Sequence, residues 1–351
     1  ETPAAILIFA KVSPHRSQLA RQFRQKLIGV SSMQAQTFSD FDDFAESIRG
    51  VVSKMLLRNA TCHCWKLRAV DLNDIVVQVG ELGSGNIAQG ELRSDRILLY
   101  LPLTPKVEYC ANGTVLGKAS FAVLEPGCEF CISTKVAHNW CAVTLPVDLL
   151  VRRGLVTPSE TSSILRVETV NPRDVSRFRE IVSQVMGLAA KTNQIESGSS
   201  AANAAEALLG VAASVLNPRA ASLDHHCGRP RVPRDQIIAS AIERLQKHED
   251  DVVRVGELAA AADVSERTLR NAFNDYFGIS PLQYLRLRQL HQVHRALRGA
   301  DSREVTVSQV LLNHGVWEFS RFAARYRQLF GELPSETLRT KPLTCQACGC
   351  R

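Results

Sequence analysis

The sequence has no long hydrophobic run. None of its 351 residues lie in a stretch approaching the roughly 20 apolar residues of a bilayer span, so no membrane partner is expected. The short apolar stretch Ala4 to Ala10 has no basic lead-in and is followed by Lys11, His15 and Arg16, which argues against a secretory signal and for a cytoplasmic location. Also missing are the glycine patterns that cradle phosphates or dinucleotides and the Gly-x-Ser-x-Gly elbow of serine hydrolases, so no enzyme class is marked out. Charge of one sign is scarce too. The whole chain carries a net +7, and residues 229–340 hold 17 Lys and Arg against 14 Asp and Glu, so bulk charge does not identify a polyanion partner. From residue 264 to 340 the counts are 11 and 7, which puts what excess there is near the C-terminus.

What is present is a repeat. Phe273, Phe277, Gly278, Pro281, Leu285 and Arg286 recur as Tyr326, Phe330, Gly331, Pro334, Leu338 and Arg339, each 53 positions later. Before the first set, Val255, Leu258, Ala259 and Ala262 carry a helical pattern into Asp263, Val264 and Ser265. There a Ser N-cap opens a second helix with Leu269, Phe273 and Phe277 inward. Before the second set, Val307, Val310 and Leu311 lead to a turn at Gly315 and Val316 and then to Phe322, Tyr326 and Phe330. Each copy reads as helix, turn, helix. One extra residue separates turn from aromatic pair in the second copy, since Val264 to Val316 is 52 positions and Phe273 to Tyr326 is 53.

The opposite faces carry the chemistry. Arg267, Arg270, Asn271 and Asn274 fall at i, i+3, i+4 and i+7, with Thr268 between them, and so share one helix face. Arg can bond guanine twice and Asn can bond adenine twice in a major groove wide enough for a helix. The second copy offers Ser320, Arg321 and Ala324, with Glu318 before them and Arg325 and Arg327 flanking, a less polar reading face. A charged outer face on a lone helix is usually just solvated; two such units with Arg on matching faces favour base reading. Arg286, Arg288, Arg327 and Arg339 are candidates for phosphate contacts, with a structural bond to the unit's own end as the alternative for Arg286 and Arg339.

These two runs, Val264-Ser265-Glu266-Arg267-Thr268-Leu269-Arg270 through Phe273 to Leu285, and Gly315 through Ser320, Phe322, Tyr326 and Arg327 to Pro334-Ser335-Glu336, resemble the AraC/XylS family of bacterial transcription regulators. The likeness spans about residues 232–340, roughly the last third of the chain. Pro-Ser-Glu-Thr-Leu-Arg at 334–339 is similar to the ethanolamine-operon regulator branch. The resemblance implies two helix-turn-helix units joined by a rigid helix, here Pro281 to Arg298 with Leu282, Leu285, Leu290, Val293 and Leu297 inward and Gly299 as its stop. It also implies promoter DNA as partner, with RNA polymerase as a further one. Two positions depart from the family pattern: Leu311 where Ala is usual and Val316 where Phe is usual.

Residues 38–170 read differently. Short apolar runs at Ile75 to Val79, Ile97 to Leu101, Phe121 to Leu124 and Ala142 to Leu145 alternate with turn residues at Gly83 to Gly90, Asn112-Gly113 and Glu125-Pro126-Gly127. Asn-Gly between Tyr109 and Val115 is a strong hairpin signal. A small barrel or sandwich follows, and the resemblance implies a cupin-like one that binds a small-molecule effector, with His138 and Trp140 as pocket candidates. Phe41 to Met55 and Pro172 to Lys191 read as helices, the latter with a stripe of Val175, Phe178, Ile181, Val182, Val185 and Leu188; a further Ala-rich helix covers Ala201 to Leu216. Residues 171–216 are expected to make a homodimer rather than pack on the barrel, and 217–233 to be a linker whose basic end, Arg229, Arg231 and Arg234, reaches DNA. The expected whole is an α+β multidomain chain: an N-terminal cupin-like β-barrel with a helical extension, and an all-α domain at 234–340 with helix-turn-helix units near 255–277 and 307–330.

Ten cysteines suggest a competing idea. Cys62 and Cys64 bracket His63, Cys128 and Cys131 form a C-x-x-C near His138, and Cys345, Cys348 and Cys350 crowd the tail. Zinc would need about four such ligands, and a single C-x-x-C is weak evidence. A cupin enzyme would carry His-x-His with a Glu, which this barrel lacks. No catalytic residue, cofactor or metal is therefore expected, and a thiol- or metal-responsive regulator with the same DNA-binding domain stands as the alternative.

Overall fold

The computed structural model describes residues 34–157, 164–192, 199–216, 234–248 and 252–339. The linker of 217–233, the N-terminal stretch and the tail cysteines lie outside them. Ten antiparallel strands curl into a nearly closed barrel: β1 (Gln34–Phe38), β2 (Val51–Leu72), β3 (Ile75–Leu92), β4 (Arg96–Pro102), β5 (Tyr109–Ala111), β6 (Thr114–Val115), β7 (Ser120–Leu124), β8 (Glu129–Thr134), β9 (His138–Pro146) and β10 (Leu165–Thr169). The order is β10-β7-β4-β9-β3-β8-β5-β6, with β2 pairing both β1 and β3. Asn112 (φ 43°) and Gly113 (φ 79°) make the β5–β6 turn, the positive φ pair that suits a two-residue hairpin.

Two sequence expectations are corrected here. Gly83 to Gly90 is no turn but the middle and end of β3, which pairs β9 over Val76–Leu82 and β8 over Ile87–Glu91. Its glycines serve close approach: a Cβ on Gly83 would sit 2.2 Å from the Cys62 carbonyl oxygen, and one on Gly90 2.1 Å from that of Val52. Phe41 to Met55 is not one helix either. Helix α1 (Phe41–Glu46) opens on Asp40, whose carboxylate accepts from the Asp42 and Asp43 amides, and Gly50 (φ 85°) then turns the chain into β2.

Barrel and helices bury their apolar residues in three clusters. Trp65, Tyr100, Tyr109, Trp140 and Phe41 fill the barrel interior, and a Cβ on Gly80 would lie 2.4 Å from the Trp140 ring. His138 and Trp140, pocket candidates with plain core as the commoner alternative, are core residues here; His138 Nδ1 lies 3.1 Å from Thr134 Oγ1 and from the Ser84 carbonyl. A short helix, α2 (Val147–Arg152), follows β9. The outer face of the sheet, with Val70, Leu72, Val77 and Phe121, is covered by α3 (Pro172–Thr192) and α4 (Ser199–Leu216). Val175, Phe178, Ile181, Val182 and Val185 all point into that layer, while Leu188 is 49% exposed. The stripe expected to meet a second chain is thus spent on the chain's own barrel.

The C-terminal domain comprises α5 (Arg234–Lys247), α6 (Val255–Ala261), α7 (Glu266–Phe277), α8 (Pro281–Gly299), α9 (Val307–Asn313), α10 (Phe319–Phe330) and α11 (Pro334–Arg339). Helix α8 is the connector. Pro281 occupies its first turn and Ser280 closes a capping box with Gln283. Leu290, Val293 and Leu297 are buried as expected, but Leu282 is 47% exposed; Tyr284, His291 and His294 take up buried positions instead.

Candidate nucleic-acid interface

The repeat has a common structural cause. Gly278 (φ 66°) and Gly331 (φ 81°) are left-handed caps that end α7 and α10, each donating its amide to the carbonyl four residues back. Ahead of each Gly the aromatic pair packs inward: Phe273 and Phe277 rings are 5.1 Å apart, Tyr326 and Phe330 rings 4.6 Å. In the first unit Ser265 caps α7 by accepting from the Thr268 amide, and in the second Thr306 closes a capping box with Gln309 to start α9. Leu311 and Val316, the two departures from the family pattern, are both buried in one cluster with Phe322 and Tyr326.

With the aromatic faces inward, the polar faces emerge into solvent. Arg267, Thr268, Arg270, Asn271 and Asn274 are exposed along α7, and Ser320, Arg321, Ala324, Arg325 and Arg327 along α10. Glu318, at the N-cap of α10, makes no capping bond; it pairs with Arg321 Nη1 at 2.8 Å. The Thr268 hydroxyl lies 2.9 Å from Ser265 Oγ and so belongs to the cap as much as to the face.

The phosphate candidates divide. Arg286, Arg327 and Arg339 are exposed, whereas Arg288 donates to the carbonyls of Leu245 (2.9 Å) and His248 (3.1 Å) at the end of α5, tying the connector to the first unit. That role is structural, a correction to the sequence reading. On the other side Gln289 Nε2 donates to the His314 carbonyl at 2.9 Å, so the connector also grips the turn of the second unit. Arg234 pairs with Asp275 at 3.1 Å, and Arg229 and Arg231 lie outside the described residues.

Sequence reasoning missed the seam between barrel and helices. The ends of both exposed helices rest on the barrel. Arg58 of β2 donates to the carbonyls of Phe277 and Gly278, the Tyr276 hydroxyl donates to Asn112 Oδ1 at 3.0 Å, and His63 Nε2 donates to the Leu329 carbonyl at 3.0 Å. Along the connector, the Leu57 amide donates to His291 Nε2 at 2.7 Å and the Tyr284 hydroxyl to Gln89 Oε1 at 2.6 Å. Arg298 forms ion pairs with Asp40 (2.8 Å) and Asp43 (3.0 Å), while His294 lies 3.4 Å from Asp42 and stacks on Phe330. Burial raises the Asp40 carboxyl above its ordinary range, against the pull of His294 and Arg298. Burial acts the same way on Asp42, but the His294 hydrogen bond and the His291 ring outweigh it and the net shift is downward. Burial pushes His291 down to about 4, so it is a neutral ring that accepts from the Leu57 amide. No spacing rule could have marked these contacts, because the partners are 234 residues apart in the case of Leu57 and His291.

The six cysteines among the described residues do not assemble a site. Among the described residues no group of three or more His, Cys, Asp or Glu is placed to hold a metal ion. Cys128 and Cys131 are buried, with Cys128 pushed up to about 12 and Cys131 well above its ordinary value by desolvation. Cys62 is exposed and Cys64 half-buried.

Two helix-turn-helix units joined by a braced helix, with both second helices presenting Arg to solvent, define a DNA-binding regulator by class. Residues 258–340 match the family model described as a helix-turn-helix domain. The XylDLEGF operon transcriptional activator of Pseudomonas putida is 34% identical over 107 residues, 30% of this chain and 32% of its own length. A probable thc operon regulatory protein of Rhodococcus erythropolis is 31% identical over 32% of this chain and 34% of its own. A solved probable AraC family transcriptional regulator from Rhodopseudomonas palustris CGA009 is 30% identical, over 30% of this chain and 98% of that one, with a TM-score of 0.28. The C-terminal third of the chain is a helix-turn-helix domain of the AraC/XylS type of transcription regulator. The chain spans about a third of the length of the first two of these relatives. No helix among the described residues is long and apolar enough to cross a membrane.

Proposed function

We propose that this chain binds promoter DNA sequence-specifically through α7 and α10, in a bacterial cytoplasm, as a homodimer whose output is read by RNA polymerase. The observation that carries the reading is the pair of exposed faces, Arg267, Arg270, Asn271 and Asn274 on one helix and Ser320, Arg321 and Ala324 on the other, held by a connector bonded to both units. The stripe of α3 lies against the barrel, so dimerisation would use the outer faces of α3 and α4. Selection of binding sequences from a randomised duplex pool tests the core claim. A consensus with two adjacent elements is expected, and recovery of unrelated sequences with salt-dependent affinity alone would sink it.

The barrel, in this reading, takes a small-molecule effector and acts through the seam. Support comes from its hydrogen bonds to the ends of both reading helices, which leave little freedom to change the barrel without moving α7 or α10. An open cleft of about 730 Å³ beside the junction of β9 and α2 includes Asp74, Arg96, Val147, Asp148, Val151 and Arg152 in its lining, with Arg152 paired to Asp148 and Arg96 donating to the Asp74 carbonyl.

A thiol-responsive reading survives in narrower form. His63, between exposed Cys62 and half-buried Cys64, bonds the carbonyl near the end of α10, so modifying either thiol would disturb that contact. Replacing Cys62 and Cys64 by Ser and measuring promoter response separates the two readings: a response that persists eliminates the thiol.

A further inference from the structure

The second copy of the repeat contains one residue more than the first, and the structure identifies it. Val264 and Val316 are equivalent turn residues, and Ser265 and Glu318 are the N-caps of α7 and α10; the residue between Val316 and Glu318 is Trp317. It has no counterpart in the first unit.

Its placement is unusual for its type. A hydrophobic residue just before an N-cap commonly staples to the fourth residue of the helix. Val264 holds that position in the first unit, half-buried against the cluster that contains Leu269. In the second unit Val316 is buried at 5% exposure beside Phe322, so the packing role is already filled. Trp317 is 78% exposed, more than any other large hydrophobic side chain among the described residues. No hydrogen bond, ion pair or ring contact involves it among them, whereas Trp65 and Trp140 are buried in the barrel.

Trp317 lies in the non-helical turn just ahead of the N-cap Glu318, next to the exposed Ser320 and Arg321 in the first turn of α10. The insertion places an exposed apolar group at the N-terminal end of α10, the end from which a recognition helix meets base edges. We infer that Trp317 is a specificity-determining residue for the second unit, making apolar contact with a thymine 5-methyl group in the major groove. The chemistry fits: thymine alone presents a methyl there, and the Trp317 indole is the largest apolar group exposed at this end of the helix. The inference rests on the DNA-binding reading above.

The probe is the duplex selected by the wild-type protein from a random pool. Trp317→Ala is expected to weaken binding to it by about tenfold, the effect of one mismatched base pair, while binding to random duplex is unchanged. Replacing thymines singly by uracil should reveal one position where the wild type loses a similar factor and Trp317→Ala loses nothing. In Trp317→Ala the fluorescence quenching on DNA addition should disappear, since the other two tryptophans are buried. The side chain is exposed, so its removal takes nothing from the core, and a thermal melt checks that the fold is kept. Unchanged affinity of Trp317→Ala, or a uracil profile identical in both proteins, overturns the inference. Failure of the DNA-binding reading itself would look different: no consensus would be selected, and Arg270→Ala would be silent as well.

Discussion

Single residues divide between reading and holding. Arg270 and Arg321 are exposed on matching faces, so Arg270→Ala and Arg321→Ala should each cost roughly 1 to 3 kcal/mol on a selected site and leave random-duplex binding nearly intact. Equal losses on both duplexes, measured by titration at fixed salt, would reassign them to phosphate. Arg321 starts from an ion pair with Glu318, which must be loosened to free the guanidinium for a base. The buried histidines give a pH signature. His138 and His291 both lie at about 4 in the fold, held down from 6.5 by burial, so below pH 6.5 the unfolded chain binds protons that the folded one refuses. Stability is therefore full above about pH 6.5 and falls as pH drops toward 4, by up to about 3 kcal/mol for each ring. Urea midpoints at pH 7.5 and 4.5 measure it, and Leu in place of His138 should flatten part of the slope.

At the scale of elements, the caps carry the duplicated design. Gly278 and Gly331 hold left-handed backbone at the ends of α7 and α10, and a Cβ on Gly331 would also press to 3.0 Å from the His63 ring. Gly331→Ala is expected to destabilise the chain by roughly 1 to 2 kcal/mol, more than the same change at an exposed, unstrained glycine such as Gly210. Chemical denaturation of both variants decides it; equal midpoints would mean that α10 can end without this cap. The strand glycines act differently. Gly83, Gly85 and Gly90 keep negative φ and matter because other backbone or side chains lie where their Cβ atoms would be.

For the molecule as a whole, the seam matters most. Asp40, Asp42 and Asp43, gathered at the first turn of α1, face His291, His294 and Arg298 on the connector, with Arg295 and Glu332 nearby. Arg298→Ala should loosen this junction without touching the barrel strands. Hydrogen exchange is expected to quicken in α1 and the C-terminal half of α8 and to stay slow in β3 and β9. Unchanged exchange across α8 would mean that apolar packing, not the ion pairs, holds the two parts together.

The helix-turn-helix pair was legible in the sequence because everything that makes it is local. Caps, left-handed glycines, a Pro in the first turn and aromatic pairs at i and i+4 act within a dozen residues, and their recurrence 53 positions later repeats the same physics. The Asn112-Gly113 hairpin was legible for the same reason. Gly83 to Gly90 was misread because a glycine that bends a chain and one that admits a neighbour look alike in a string. Where amphipathic faces go is likewise undetermined by periodicity: α3 shows an apolar stripe, and only the folded barrel decides that Phe121 and Val77 cover it. The exposure of Trp317 and the docking of both reading helices on the barrel belong to the same class. They depend on contacts between segments up to 266 residues apart, and the burial of Leu57 or His291 exists only once those segments have met.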